Sequence, residues 1–480
     1  MADKSNEAGP GGIKYISWTT ICFMTVACVA SIRNTPSMAI YGWACIFLYL
    51  VPAVVFLIPT ALVSAELASA WDGGVYRWVS EGVGPKAGFV AIWTQYAMTL
   101  TYYPSLLASV ASTLAFIISP GLASSGLYTG IIILVFFWGS TLVSFRGLET
   151  SAVLSSGGMV IGTLIPGVTL VGLGILYLFG SGQNYSAGTG LLPEFAGIAS
   201  LVLIVNNFLS YAGMEVNAVH VNQMEKPSKD FPRAMFVASG MAVAIFVLPA
   251  LAISFVVPRD QLSLTAGVMQ AFQQFFEYFH VGFLTPAFAL MIVCAMLGGM
   301  MGWLAGPSKG LLMVGRENGY LPPKLQKMNK KGIQQNILIG QGIVVSVIAL
   351  LFAFIPSVSS AFWILSAMTT QIYLIMYVLL FIAVVKLRKS QPERPRGYRV
   401  PALMFMAGVG LVSSVLVFFI GLIPPSQFGS NSPALYALLL LGGTLGLGLG
   451  VPFLFLWLRK PSWKQEEKPK PSPAEEGGPA

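Results

Sequence analysis

Apolar residues in this chain fall into windows of about 20, the length a helix needs to cross a bilayer core, with short polar breaks between them. Twelve windows lie near residues 15–41, 43–70, 86–118, 127–145, 152–180, 196–222, 234–257, 283–313, 334–355, 360–387, 402–424 and 434–458. The pattern predicts an all-α integral membrane protein. A membrane domain over 14–460 is flanked by polar tails at 1–13 and 461–480.

Two windows are interrupted. The first contains "VASIRNTPSMA" from Val29 to Ala39, which places Arg33, Asn34 and Pro36 within four positions. A helix from Tyr15 has risen about 20 Å by Val29 at 1.5 Å per residue. Proline then disfavours simple continuation. The chain is therefore expected to unwind around Ala30 to Thr35 and restart as a second half-helix. Non-helical backbone at membrane depth is tolerated only when it is buried in protein or lines a cavity, so a second broken span should accompany the first. The sixth window, "VLIVNNFLSYAGMEVNAVHVNQM", supplies it, with Ser210, Tyr211, Gly213 and Glu215 in an apolar run. Breaks near Ser31 and Gly213 fit two inverted five-span repeats whose discontinuous helices meet at a central site, with two further spans at the C-terminal end. Half-helix N-termini there would receive a carboxylate and freed carbonyls an ammonium, which suits a zwitterion.

Composition strengthens the membrane reading, because 55% of residues are hydrophobic and only 9% charged. The chain has 27 Lys and Arg against 18 Asp and Glu, a net charge of +9. Basic residues gather in alternate loops, among them Arg77, Lys226, Arg316, Lys331, Arg388 and Arg399, while the other set of loops keeps only Arg259. Cytoplasmic loops carry the excess of Lys and Arg, so both termini are expected to be cytoplasmic and the net charge is a topology signal rather than a nucleic-acid footprint. The polar start and the long first window are unlike a cleaved signal peptide. The segment after Trp463, "KQEEKPKPSPAEEGGPA", has the composition of a disordered tail.

Catalytic and metal chemistry find little support. Cys22, Cys28, Cys45 and Cys294 lie within windows at no zinc or redox spacing. His220 and His280 are isolated, and no HExxH, Walker loop or GxSxG elbow occurs. No metal or cofactor is expected, and an enzyme is disfavoured because no nucleophile and base pair stands out.

The segment Phe208 to Met235, "FLSYAGMEVNAVHVNQMEKPSKDFPRAM", resembles the sixth span and following loop of amino acid, polyamine and organocation transporters, and in particular the bacterial glutamate/γ-aminobutyrate antiporters. "VSAELASAWDGGVYRWVSEGVGP", "LSLTAGVMQAF", "GPSKGLLMVGRENGYLPPKLQKMNKKG" and "IYLIMYVLLFIAVV" agree with it, and the resemblance extends over about residues 13–460. It implies a leucine-transporter-type fold in a bacterial inner membrane and ATP-independent exchange of amino acids or amines by alternating access. The family's glycine-rich first-span motif aligns with Val29 to Arg33 when Pro36 is the anchor. Ala30 and Ser31 stand where that motif has flexible glycines, and Arg33 where it is usually uncharged or aromatic. Gly299, eight positions before Pro307, replaces an acidic residue expected in glutamate/γ-aminobutyrate exchangers. The tail also lacks the histidines and length of a pore-plugging segment.

Val29, Ala30, Ser31, Arg33, Asn34, Phe208, Ala212 and Gly213 are thus candidate substrate-binding residues. Tyr211, Tyr373 and Tyr377 either line the cavity or settle as core residues with a satisfied hydroxyl. Arg33 either meets substrate or pairs with Glu215 or Glu66, since intramembrane charges commonly neutralise each other. Glu215 is a proton-linked switch or a packing anchor, and Glu66 a gating or structural residue. The alternatives to exchange are a proton-coupled amino-acid or polyamine importer and a membrane sensor that binds without transport. Expected partners are small amino acids or amines, lipids and protons, with the protein a monomer or homodimer and no nucleic acid.

Overall fold

The computed structural model describes residues 15–29, 31–146, 160–181, 183–355, 357–426 and 432–465, and most of those residues are helical, with no strand among them. Among the described residues, nine helices are long and apolar enough to cross a membrane, by length and composition: Gly42–Ala70, Pro85–Ile118, Gly126–Ser144, Ile161–Ser181, Pro227–Val256, Gly282–Asn318, Val358–Ser390, Leu403–Ile420 and Pro433–Leu458. Two shorter apolar segments, Val202–Val216 and Gln335–Leu350, and the interrupted segment from Trp18 to Ala39 fall where the sixth, ninth and first spans are expected.

The first span stops at Val29 after about 18 Å of helix, at 1.5 Å per residue. It resumes as a 3₁₀ turn over Ile32–Asn34 and a four-residue helix over Pro36–Ala39. The restart ends at Ala39, close to the end of the first window. The sixth span runs as helix from Val205 to Tyr211, turns at Ala212 and Gly213, and continues as a 3₁₀ helix over Met214–Gln223.

These two broken spans run antiparallel and touch along their length. The Ile16 N–H donates to the Gln223 carbonyl at 2.9 Å. Further along, Asn34 Nδ2 donates to Ser210 Oγ at 3.0 Å, Asn206 Nδ2 to Ser37 Oγ at 3.2 Å and the Tyr41 hydroxyl to the Ser200 carbonyl at 2.6 Å. Numbers rise along one strand of contacts and fall along the other, as an inverted repeat requires. The second and seventh spans pack against this pair, while the third is bounded by the fourth, eighth and tenth.

One end of the bundle carries the basic loops. There Glu66, only 1% exposed, is held by two arginines from the far end of the sequence. Arg388 donates through Nε to Glu66 Oε1 at 2.7 Å and through Nη2 to Oε2, Arg396 Nε lies 3.3 Å from Oε1, and the Val400 N–H donates to Oε2 at 2.8 Å. Arg394 and Arg396 both lie over the Trp71 ring, at 4.8 and 5.4 Å. The second span and the loop following the tenth are thereby clamped together. Removing one side of a buried ion pair strands the other. Glu66→Ala is expected to destabilise the protein by about 3 kcal/mol or more, read as a lower unfolding temperature in detergent, whereas Glu81→Ala, which breaks the exposed pair with Arg77, should cost less than about 1 kcal/mol.

Candidate functional site

Where the broken spans cross, each uses side chains to satisfy backbone that has left the helix. Ser31 is extended, at φ −151° and ψ 123°, and its hydroxyl caps the Arg33 N–H at 3.4 Å. Thr35 and Ser37 donate their hydroxyls to the Ile32 and Asn34 carbonyls at 2.6 and 2.7 Å. In the sixth span, Gly213 takes φ +109°, a conformation open to glycine. A Cβ there would also come within 3.3 Å of the Trp303 ring. Its N–H donates to the Tyr377 hydroxyl at 2.9 Å.

Glu215 lies two residues beyond that turn and is 1% exposed. Its carboxylate accepts from both the Tyr373 and Tyr377 hydroxyls, the latter at 2.7 Å. Tyr377 therefore joins the turn backbone to the carboxylate. No cation lies within salt-bridge distance of Glu215 among the described residues.

Arg33 is held separately. It is 5% exposed, donates from Nη1 to Ser105 Oγ at 3.2 Å, and places its guanidinium carbon 5.3 Å from the Tyr102 ring centre and 5.7 Å from that of Phe362. Ser105 also accepts from Ser366 at 3.3 Å, which ties the third span to the tenth at this level. Arg33 Nε has no hydrogen-bond partner among the described residues. Neither Glu215 nor Glu66 pairs with it, because the tyrosines hold the first and Arg388 with Arg396 the second. The positive charge beside this break belongs to a side chain, since a restart of three and four residues carries little aligned dipole.

Between the two charged groups stands Trp303 of the eighth span, its ring 6.2 Å from both Tyr102 and Tyr373. Arg33, Tyr102, Trp303, Tyr373 and Glu215 thus form a continuous row with a cation at one end and a carboxyl group at the other. Val29, Ser31, Asn34, Ala212 and Gly213 lie at the breaks. Ala30 lies outside the described residues. Phe208 packs on Phe56, which also meets Tyr377. Tyr211 turns toward the second and seventh spans, where its hydroxyl donates to the Tyr49 carbonyl at 3.1 Å and its ring meets Phe246. Glu66 stands apart at the basic end. Tyr102, Ser105, Trp303, Phe362 and Ser366 escaped sequence reasoning, since each is an ordinary aromatic or hydroxyl residue in a long apolar helix.

A pocket of about 680 Å³ opens at the end opposite the basic loops, lined by Phe116, Ser263, Gln270, Glu277 and Ser359 among others. It lies along the third and tenth spans, and Ser109 and Ser112, between it and Ser105, are buried.

A bundle of helical spans built around two interrupted, antiparallel ones that bury an arginine and a glutamate has the architecture of a secondary transporter. The chain belongs to the amino acid permease family, whose family model matches residues 16–445. It therefore has that family's leucine-transporter-type, multi-span membrane fold. It is 35% identical over 441 residues to an uncharacterised transporter of Legionella pneumophila, covering 90% of this chain and 94% of the relative. It is 30% identical over 444 residues to a glutamate/γ-aminobutyrate antiporter of Lactococcus lactis, covering 89% and 88%. A protein of the same species named "Probable agmatine/putrescine antiporter" is 26% identical over 412 residues, covering 83% and 85%.

The two tyrosines make opposite demands. Tyr377→Phe removes an acceptor from the Gly213 N–H and a donor from Glu215, at about 1–3 kcal/mol per buried group left unpaired. Tyr211→Phe removes one hydroxyl that donates to a helix carbonyl, at about 1 kcal/mol. Unfolding in detergent combined with substrate titration should show Tyr377→Phe losing stability and affinity together, and Tyr211→Phe losing a little stability alone.

Proposed function

We propose that this protein is an amino-acid antiporter that exchanges a carboxylate-bearing amino acid for a related amino acid or its decarboxylated product by alternating access. The observation that carries the reading is the crossing of the two broken spans, where Asn34 binds Ser210 and where the Arg33 and Glu215 side chains are buried with no ion-pair partner among the described residues. Such a crossing offers backbone polar groups and both signs of charge to a zwitterion. The glutamate/γ-aminobutyrate antiporter among the relatives supports exchange of this kind.

Substrate sits at the crossing, against Val29, Ser31 and Asn34 on one side and Phe208, Ala212 and Gly213 on the other, with Trp303 beside it. Glu215 and its tyrosines face the ammonium end, and Glu215 links transport to protonation. The buried stretch between the 680 Å³ pocket and Ser105 is the closed path to that side of the membrane. The protein sits in a bacterial inner membrane with the basic loops and both termini in the cytoplasm, because Arg77, Arg316, Arg388 and their neighbours share one end.

Purified protein in liposomes tests this. Preloading with amino acid should accelerate uptake of labelled amino acid severalfold without an imposed pH gradient. Uptake that needs a pH gradient and ignores internal substrate would instead indicate symport, and saturable binding without flux a sensor. Glu215→Gln, which keeps an acceptor for one tyrosine, should retain exchange but flatten its dependence on pH. An unchanged pH profile would assign Glu215 a packing role.

A further inference from the structure

We propose that Arg33 is the specificity-determining residue of the central site, and that it takes a carboxylate which both exchanged substrates must carry. The proposal rests on the exchange reading above and deepens it by naming the substrate class. Charged side chains are almost never fully buried unless paired, yet Arg33 is 5% exposed with no carboxylate within ion-pair distance among the described residues. What surrounds it is neutral: the Tyr102 and Phe362 rings near the guanidinium and the Ser105 hydroxyl on Nη1. One nitrogen of the fork, Nε, has no acceptor among the described residues. A planar guanidinium binds a carboxylate through two parallel N–H bonds, and Nε is one of the donors such a bond uses.

The position of the group identifies which carboxylate. Arg33 lies past the break, against the third and tenth spans, and the Tyr102 and Trp303 rings run beside the route from it to the wall formed by Gly213, Tyr373 and Glu215. A substrate whose ammonium lies at the Glu215 wall therefore reaches Arg33 with the carboxylate farther from its amine. In an acidic amino acid that is the side-chain carboxylate, the one that survives removal of the α-carboxylate.

The exchange cycle adds a constraint. The central site closes around one substrate going out and another coming in, and an unpaired guanidinium is costly in a desolvated site each time. Both substrates must then neutralise it. The exchanged pair is two acidic amino acids, or one of them with an ω-amino acid that keeps its carboxylate. A diamine, which brings only positive charge, is rejected.

L-Glutamate and L-glutamine, which are alike in shape and differ in this charge, provide the test, with 4-aminobutyrate and putrescine as the decarboxylated probes. Exchange kinetics in proteoliposomes and the shift in unfolding temperature are read for each. The wild-type protein should prefer glutamate over glutamine by roughly 100-fold in kcat/KM, exchange 4-aminobutyrate and ignore putrescine. Arg33→Ala should collapse the glutamate preference to within about tenfold, largely through loss of glutamate, and Arg33→Lys should keep more of the preference than Arg33→Ala. Equal handling of glutamate and glutamine by the wild-type protein overturns the proposal without the need for any variant, and leaves exchange itself intact. Equal loss of both substrates in Arg33→Ala and Arg33→Lys, with the fold retained, overturns it as well, since a purely structural arginine predicts that result. If the wild-type protein exchanges no amino acid at all, the exchange reading fails. In that case the glutamate-to-glutamine ratio in the unfolding shift still supports or refutes Arg33 as the carboxylate site.

Discussion

A peptide group within a bilayer has no water to bond to, so each N–H and C=O that leaves a helix must find a partner in the protein. Two spans of this chain leave the helix in mid-course, and the way their backbone is satisfied fixes much of the arrangement around them. Hydroxyls of Ser31, Thr35 and Ser37 serve the first break locally. Tyr377, from the tenth span, serves the second. Asn34 and Ser210 then join one break to the other. Any element that packs here meets a crossing whose polar groups are already directed.

The ionisable groups follow the same logic with larger energies. Glu66 is a buried carboxylate whose charge is met from within the protein by Arg388 and Arg396, and the result is a mechanical tie at the basic end. Glu215 is met by two hydroxyls and Arg33 by a hydroxyl and two rings, so neither charge is cancelled in place. The first arrangement suits a joint that stays closed. The second suits groups whose partner arrives and leaves, and it coincides with the breaks in the first and sixth spans.

Much of this was legible in the sequence, because the membrane imposes a simple code. Window length gave the twelve spans, and Asn34, Pro36 and Gly213 marked where two of them break. Arg33 and Glu215 stood out because charge is rare in such windows. The sequence could not tell which charges pair, since Glu66 and Arg388 are separated by more than 300 positions. It could not orient Tyr211, whose ring had two faces of its helix to choose between and turned to Tyr49 and Phe246. Nor did it single out Tyr102, Ser105, Trp303 or Phe362, which become distinctive only when three spans bring them to Arg33 and Gly213.

The central claim is that substrate binds at the crossing of the two broken spans. Backbone hydrogen exchange, followed by mass spectrometry on the purified protein with and without saturating L-glutamate, measures this directly. Irregular backbone that closes on a ligand should exchange more slowly once the ligand is bound. Protection is expected in peptides covering residues 29–35 and 208–216, with little change in the clamped loop at 391–400. Unchanged exchange in both broken segments, in a preparation that still transports glutamate, would contradict the account.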